Sequence, residues 1–251
     1  MRMRRQIRAG CGALLAAVVA GGFGGGVFAG ETAQKEGVTP SSKPDSSLVS
    51  SVGDSRPPTS VRMLANRASR AEINEIEGMR TAAEDGVARA QFSLGLRYES
   101  GHGVTKDPVQ AIHWFRKAAE QGYDEAQYTL GCCYNGDEGF AKDPNEAAKW
   151  WEKAAAQGYA DAQYCLGLSY FMGRGVAKNP SAAAKWWIKA AEQGHADAQY
   201  FLGLSYSMGL GVPKIPEQAV FWLRRAVALG NENALAALKQ LGAKHETSTE
   251  Q

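Results

Sequence analysis

Two adjacent cysteines stand in the stretch from Gly131 to Phe140, which reads GCCYNGDEGF. They precede an Asn-Gly pair and two acidic residues, Asp137 and Glu138. Thiolates can ligate a metal, paired thiols can form a redox centre, and acidic side chains on a loop can ligate calcium. An Asn-Gly pair is also typical of a tight turn. The residue types alone leave these four interpretations open.

The rest of the chain lacks the spacings of the common catalytic and metal-binding motifs. It contains no HExxH, CxxC, P-loop, GxSxG or SxxK sequence. Its four histidines are scattered, and we expect them to be solvated surface residues rather than ligands. The sequence therefore predicts a protein that is not an enzyme and that needs no cofactor or metal.

A repeat of 36 residues provides the elements that carry the two cysteines. Ala-Gln pairs, glycines, prolines and tryptophans each recur four times at this interval. The tryptophan column, for example, consists of Trp114, Trp150, Trp186 and Trp222. A period of this length indicates a solenoid of stacked units. In this register GCCYNGDEGF is the end of a helix and its exit loop in the second unit.

Each unit is predicted to form two helices, A and B. In the third unit helix A runs from about Asp161 to Met172, and glycines then let the chain turn. Helix B begins at Asn179-Pro180, where the missing N–H of proline costs nothing, and Gly194 ends it. Every helix A contains a central glycine, which costs about 1 kcal/mol in helix propensity. We therefore expect helix B to cross helix A there at close range.

The predicted fold class is all-α, an αα-hairpin solenoid of four 36-residue repeats with half-repeat helical caps. A capping box at Ser69 to Glu72 marks the start of the first cap. The predicted segments are repeats at about 86–121, 122–157, 158–193 and 194–229, capping helices at 69–85 and 231–242, and a polar tail at 243–251.

The first 29 residues resemble a cleavable signal peptide, with four arginines, an uncharged stretch and Val27-Phe28-Ala29 at the cleavage site. The alternative is an uncleaved membrane anchor, but seven glycines make the uncharged stretch weakly hydrophobic. Residues 30–68 are rich in Ser, Pro and Gly and are predicted to be a disordered linker. The expected location is periplasmic or secreted, with no stable membrane span after cleavage.

The charge balance argues against nucleic acid as a partner. The whole chain has 28 basic and 26 acidic residues. Removal of the four signal-peptide arginines leaves 24 basic residues and a formal charge of −2. A nearly neutral chain without a basic block lacks the electrostatic footprint of a nucleic-acid-binding protein. The expected partner is therefore a protein.

The repeat unit closely resembles the Sel-one-like repeat, a relative of the tetratricopeptide repeat. The third copy reads ADAQYCLGLSYFMGRGVAKNPSAAAKWWIKAAEQG, and the resemblance extends from about Asp85 to Leu241. It implies a right-handed superhelix with helix A on the concave face. It also implies a non-enzymatic adaptor, and its exported bacterial members serve in envelope regulation, secretion and host contact. Two alternatives are a cell-wall ligand binder or hydrolase, and a structural component of an envelope assembly.

The resemblance also places an aromatic column on the inner face, where it can hold a partner's peptide or helix. Equally, these rings can pack one repeat on the next. The column consists of Phe92, Tyr128, Tyr164 and Tyr200. Positions that vary between copies are candidates for partner specificity. They are Arg97, Cys133, Ser169 and Ser205, together with the apolar residues Phe171, Met172 and Met208.

The repeat register also predicts different surroundings for the two adjacent cysteines. Cys132 takes the place of a recurring leucine and is expected to be buried. Cys133 takes the place of Arg97 and is expected to be more exposed. A disulfide from Cys165 to either of them is a further hypothesis, although neighbouring helices are usually farther apart than a disulfide allows.

Overall fold

The computed structural model describes the backbone of residues 59–136 and 142–248, and the side chains of residues 70–136 and 142–242. These ranges contain ten helices and no strand. The helices are α1 (Thr59–Glu84), α2 (Ala88–Ser100), α3 (Pro108–Glu120), α4 (Asp124–Tyr134), α5 (Pro144–Ala156), α6 (Ala160–Met172), α7 (Pro180–Glu192), α8 (Ala196–Met208), α9 (Pro216–Ala228) and α10 (Glu232–Ser248).

Each helix packs against the next one along the chain, so the described residues form an all-α solenoid. Helices α2, α4, α6 and α8 are the A helices of the four repeats, and α3, α5, α7 and α9 are the B helices. Helix α1 takes the place of a B helix before the first repeat, and α10 takes the place of an A helix after the last. The predicted fold class is confirmed.

The helix ends within the third repeat follow from its sequence. Helix α6 ends at Gly173, whose left-handed backbone lets its N–H bond the carbonyl of Ser169. Helix α7 begins after Asn179, whose side chain accepts a hydrogen bond from the Ala182 N–H at 3.0 Å. Pro180 then occupies the first helical position, as predicted.

The central glycines mark close helix crossings, as the sequence predicts. A Cβ atom placed on Gly167 would lie 2.3 Å from Nε1 of Trp187 on helix B of the same repeat. The indole Nε1 donates to the Tyr164 carbonyl at 3.3 Å, so the tryptophan edge lies against the backbone of helix A. No side chain larger than a hydrogen atom fits there without displacing Trp187.

Both terminal helices are longer than predicted. Helix α1 begins at Thr59 rather than at Ser69, so the predicted linker and capping box do not mark its start. The stretch Arg62 to Ala65 supplies good helix formers after the prolines at positions 57 and 58. Helix α10 continues to Ser248, into the predicted polar tail. The predicted signal peptide and residues 137–141 of the opening stretch lie outside the described residues.

In the middle of the array, the A helices and the B helices differ in how they are buried. In α6 every residue from Ala162 to Ser169 is buried, and in α4 every residue from Ala126 to Cys133 is buried. The B helices bury one face only, as α7 does with Trp187 and its alanines. A helix buried all round is enclosed by its neighbours, whereas a one-sided helix forms the outside of an array.

Paired glutamines, one buried and one at an exposed helix end, occur in each of the first three repeats. In each repeat the glutamine of the Ala-Gln pair donates to a carbonyl near the end of the preceding B helix, as Gln163 does to Ala155 at 3.2 Å. A second glutamine, 30 residues on, donates to the Oε1 atom of the first. These second bonds are Gln121 to Gln91 at 2.7 Å, Gln157 to Gln127 at 2.8 Å and Gln193 to Gln163 at 2.8 Å.

The last repeat lacks this second glutamine. Leu229 stands at the corresponding position, and its side chain is 53% exposed. Gln199 still donates to the Ala191 carbonyl at 3.0 Å, but none of the described residues donates a hydrogen bond to its buried Oε1. An unsatisfied buried acceptor costs stability, so the glutamine pairing weakens at the C-terminal end of the array.

Candidate partner-binding surface

The predicted aromatic column lies between consecutive repeats. Phe92 packs on Tyr123 with ring centroids 5.3 Å apart, and Tyr128 packs on Tyr159 at 5.2 Å. In the third repeat Tyr164 stacks on His195 at 4.6 Å. Each partner is the residue just before the next A helix. The three tyrosines of the column are at most 5% exposed, so most of their surface is used in repeat packing.

His195 shows how that packing is held in place. Its Nδ1 accepts a hydrogen bond from the Ala198 N–H at 3.2 Å, which caps α8. Its Nε2 lies 3.1 Å from Oδ1 of Asp161 on the preceding A helix. With both nitrogens engaged and its ring on Tyr164, His195 is a structural residue and not the solvated one that the sequence suggested.

The fourth column residue, Tyr200, packs edge-on against Phe201 at 5.2 Å. Asn231 replaces the aromatic residue that would follow it, and its side-chain amide donates to Asp197 at 2.8 Å instead. Burial raises the pKa of the Tyr200 hydroxyl above its ordinary value, because the phenolate would lose hydration.

The varying positions offer less surface than the sequence suggests. Cys133 is only 3% exposed, so the prediction that it is more exposed is wrong. It lies among the residues of α4 that are buried all round. Ser169 and Ser205 are also buried, and the Ser205 hydroxyl donates to the Phe201 carbonyl at 2.8 Å. Arg97 donates to Glu75 of α1 at 2.7 Å. The disulfide hypothesis for Cys165 stays a prediction.

The apolar candidates lie at the C-terminal ends of α6 and α8 and keep accessible surface. Phe171 packs on Trp187 with centroids 5.5 Å apart but remains half-buried, as does Met172. Met208 is 45% exposed. Tyr170 and Tyr206 lie at the same two helix ends and are also half-buried. We call these five residues the α6–α8 edge.

Tyr170 and Tyr206 belong to a second tyrosine column, which was not among the binding residues predicted from the sequence. The backbone carbonyl of each member accepts a hydrogen bond from the N-cap residue of the following B helix, as Tyr170 does from Asn179 at 2.8 Å. The sequence signal was the tyrosine three residues after the central glycine in every copy. The column consists of Tyr98, Tyr134, Tyr170 and Tyr206.

Hydroxyl groups of this second column also contact the preceding B-position helix. Nη2 of Arg80 on α1 lies 3.4 Å from the Tyr98 hydroxyl. Arg116 of α3 donates in the same way to the Tyr134 hydroxyl. These contacts hold the half-buried rings of Tyr98 and Tyr134 against the preceding helix.

A basic residue covers a tryptophan near the end of each B helix. Lys153 Nζ lies 3.8 Å from the ring centroid of Trp150, and Lys189 Nζ lies 4.2 Å from that of Trp186. Such cation–π contacts are worth about 0.5–1 kcal/mol at exposed sites. The basic column therefore has a packing role on the B helices.

In the described part of the chain, no three His, Cys, Asp or Glu side chains come together in a way that could hold a metal ion. None of the helices in that part combines the length and the apolar character that a bilayer crossing requires.

Stacked helix pairs with close glycine crossings and glutamine-joined junctions define this chain as an α-solenoid repeat protein. The Sel1 repeat matches it four times, at residues 88–123, 124–159, 160–195 and 196–231. The chain belongs to the Sel1 repeat family, as its sequence indicated. Proteins of this family are commonly scaffolds for protein–protein interaction.

Two solved structures are similar to most of the chain. One is c5321, a protective antigen present in uropathogenic Escherichia coli strains displaying an SLR fold, with 39% identity over 68% of this chain and a TM-score of 0.66. The other is a Sel1 repeat protein from Oxalobacter formigenes, with 40% identity over 68% of this chain and a TM-score of 0.62. The matches span 36% and 50% of those longer chains. A search of the curated proteins finds no match.

Proposed function

We propose that this chain is an exported, non-enzymatic scaffold that binds a protein partner on the concave face of its solenoid, through the α6–α8 edge. The observation that carries the proposal is the accessible surface that Phe171, Met172 and Met208 keep, together with that of the two half-buried tyrosines. Methionine side chains adapt their shape to a partner, and tyrosines supply contact area with few rotatable bonds.

Partner contact at the α6–α8 edge is favoured over contact at the first aromatic column. The tyrosines of that column are nearly buried, so a partner would touch only their edges. The α6–α8 edge instead combines apolar rings and thioethers with the adjacent Arg174, which is exposed. An amphipathic helix or extended peptide that carries an apolar residue and a carboxylate fits this chemistry.

Export is the second part of the proposal, and it rests on the N-terminal sequence. Four arginines, an uncharged stretch and Val27-Phe28-Ala29 together favour a cleaved signal. We expect the mature protein to begin at Gly30. N-terminal sequencing of the protein recovered from fractionated cells tests this, and an intact Met1 in the cytoplasmic fraction would contradict it.

Site-specific photo-crosslinking in the native cell tests partner binding. A photoreactive phenylalanine derivative at Tyr206 lies on the α6–α8 edge, and the same group at the exposed Lys149 on α5 serves as the control. We expect a discrete crosslinked protein from position 206 and none from position 149. Equal labelling from both positions, or no product from position 206 in any growth condition, would count against the proposal.

A further inference from the structure

The last B helix, α9, carries an open groove on its exposed face. A groove of about 610 Å³ runs along it and is lined by Glu217, Val220, Phe221, Arg224 and Arg225, with Pro216 and Ala228 at its ends. Phe221 is 48% exposed. No residue of the described chain covers this face.

Comparison with the other repeats shows that the uncovered face is not simply an ordinary outer surface. Val220 is partly buried, as is its counterpart Ile112 in the first repeat, whereas Ala184 and Ala148 in the two middle repeats are buried. Phe221 replaces a residue that is charged or polar in every other copy. Its counterparts are Lys185, Lys149 and His113. The last repeat thus carries a large apolar side chain where the others carry a solvated one.

Arg224 lacks the tyrosine contact that its counterparts make, because the sequence has no tyrosine at the corresponding position. Its counterparts Arg80 and Arg116 contact the hydroxyl of the tyrosine 18 residues further on. At the corresponding position after Arg224 stands Gly242. Within the described residues neither Arg224 nor Glu217 forms an ion pair or a side-chain hydrogen bond. Both charges are therefore available to a partner.

In a dimer with twofold symmetry, the acidic residue on this face of one copy would lie opposite the basic residue of the other copy. The helical rise puts Glu217 and Arg224 each about 5 Å from a midpoint between Val220 and Phe221, on opposite sides of it. When two such helices pack antiparallel about that midpoint, each Glu217 lies opposite the other Arg224 and the phenylalanines meet at the centre. A twofold interface requires just this self-complementary patch.

We propose that this face is a dimer interface, in which α9 packs antiparallel against α9 of a second copy of this chain. Phe221 and Val220 form the apolar centre, and two Glu217–Arg224 pairs flank it. This proposal is independent of the protein partner proposed above, because α9 and the α6–α8 edge are formed by different residues. One helix pair is a small interface, so we expect a dissociation constant of about 1–100 μM.

Sedimentation velocity of the processed form of the protein, measured at concentrations of about 1 to 500 μM, tests the proposal. We expect a monomer–dimer equilibrium. Phe221→Lys introduces the residue found at positions 185 and 149 and should weaken the dimer at least about 30-fold. Glu217→Arg should weaken it about 10-fold or more through like-charge contact, and the double variant Glu217→Arg, Arg224→Glu should restore it to within about 3-fold.

Lys185→Ala, at the position that corresponds to Phe221 in the third repeat, is the matched control and should leave the equilibrium unchanged. Circular dichroism verifies that each variant is folded. If Phe221→Lys unfolds, Glu217→Arg still tests the interface, because Glu217 is exposed. A monomer at every concentration, or a dimer insensitive to both single variants, would overturn the proposal. Assembly beyond the dimer would refute the twofold arrangement, because closed symmetry stops at two copies.

Discussion

The unsatisfied glutamine in the last repeat allows stability to be raised by one substitution. Gln199 is 1% exposed and its Oε1 lacks a donor, while the corresponding acceptors of Gln91, Gln127 and Gln163 each receive one. Leu229→Gln would supply the donor. The backbone at Leu229 (φ −93°, ψ 9°) is close to that at Gln193 (φ −79°, ψ 0°), so the new side chain can reach its partner.

The expected gain follows from two opposing terms. The new hydrogen bond removes the cost of an unsatisfied buried acceptor, which is about 1–3 kcal/mol. Loss of the half-exposed leucine offsets part of this, by about 0.5–1 kcal/mol. We expect Leu229→Gln to raise the free energy of unfolding by about 1 kcal/mol and the Tm by about 2–4 °C.

Urea and thermal unfolding followed by circular dichroism provide the assay, with Leu229→Met as the isosteric control that cannot donate. The gain should also disappear when Gln199→Met is introduced, which makes a double-mutant cycle. If Leu229→Gln is no more stable than Leu229→Met, or if the gain persists without Gln199, the assigned hydrogen bond is not its cause.

Three further predictions concern packing, accessibility and pH. Gly167→Ala should destabilise the protein by about 1–3 kcal/mol, because its Cβ would lie 2.3 Å from Trp187. Gly78→Ala, which places its Cβ with nothing within 4 Å, should stabilise α1 by up to about 1 kcal/mol. Equal effects of the two substitutions in chemical unfolding would refute the argument that helix B crosses helix A closely at Gly167. Because Cys132 and Cys133 are buried, a thiol reagent should modify the reduced, folded protein at these positions only at the rate of unfolding, which mass spectrometry of timed samples checks. The pKa of Tyr200 is raised by burial, so its contribution to stability is complete below the ordinary tyrosine pKa of about 10 and is lost as the pH rises above it; the fall in stability at alkaline pH should be smaller in Tyr200→Phe than in the parent protein.

Periodicity was sufficient to predict the helices, because each column of the repeat reports one recurring contact. The central glycines predicted the crossing later found between Gly167 and Trp187. The helix signals at Asn179-Pro180 predicted the start of α7 within one residue. Where a single unit repeats four times, every local signal is read four times, and chance matches are averaged out.

Burial of the variable positions could not be read in the same way. Cys133 shares its column with Arg97, and a column that tolerates arginine looks exposed. In the structure Arg97 reaches Glu75 of the terminal helix α1, while Cys133 and Ser169 are enclosed. The variation reflects different neighbours along the array rather than contact with solvent. The glutamine pairs were also missed, although both columns were visible, because their bonds depend on how one repeat stacks on the next.

Three junction residues of the inner repeats are replaced at the last junction, although Asn231 keeps the contact with Asp197 and the cap of the following helix. Gln, aromatic and Tyr columns give way to Leu229, Asn231 and Gly242 at the C-terminal end. A duplicated copy of residues 158–193 inserted before position 194 would find both of its junctions already matched, whereas the same copy added after position 230 would meet the altered residues. The array can therefore gain repeats in its interior but not at its C-terminal end. Recombination can lengthen or shorten the protein by whole repeats while the terminal unit stays in place.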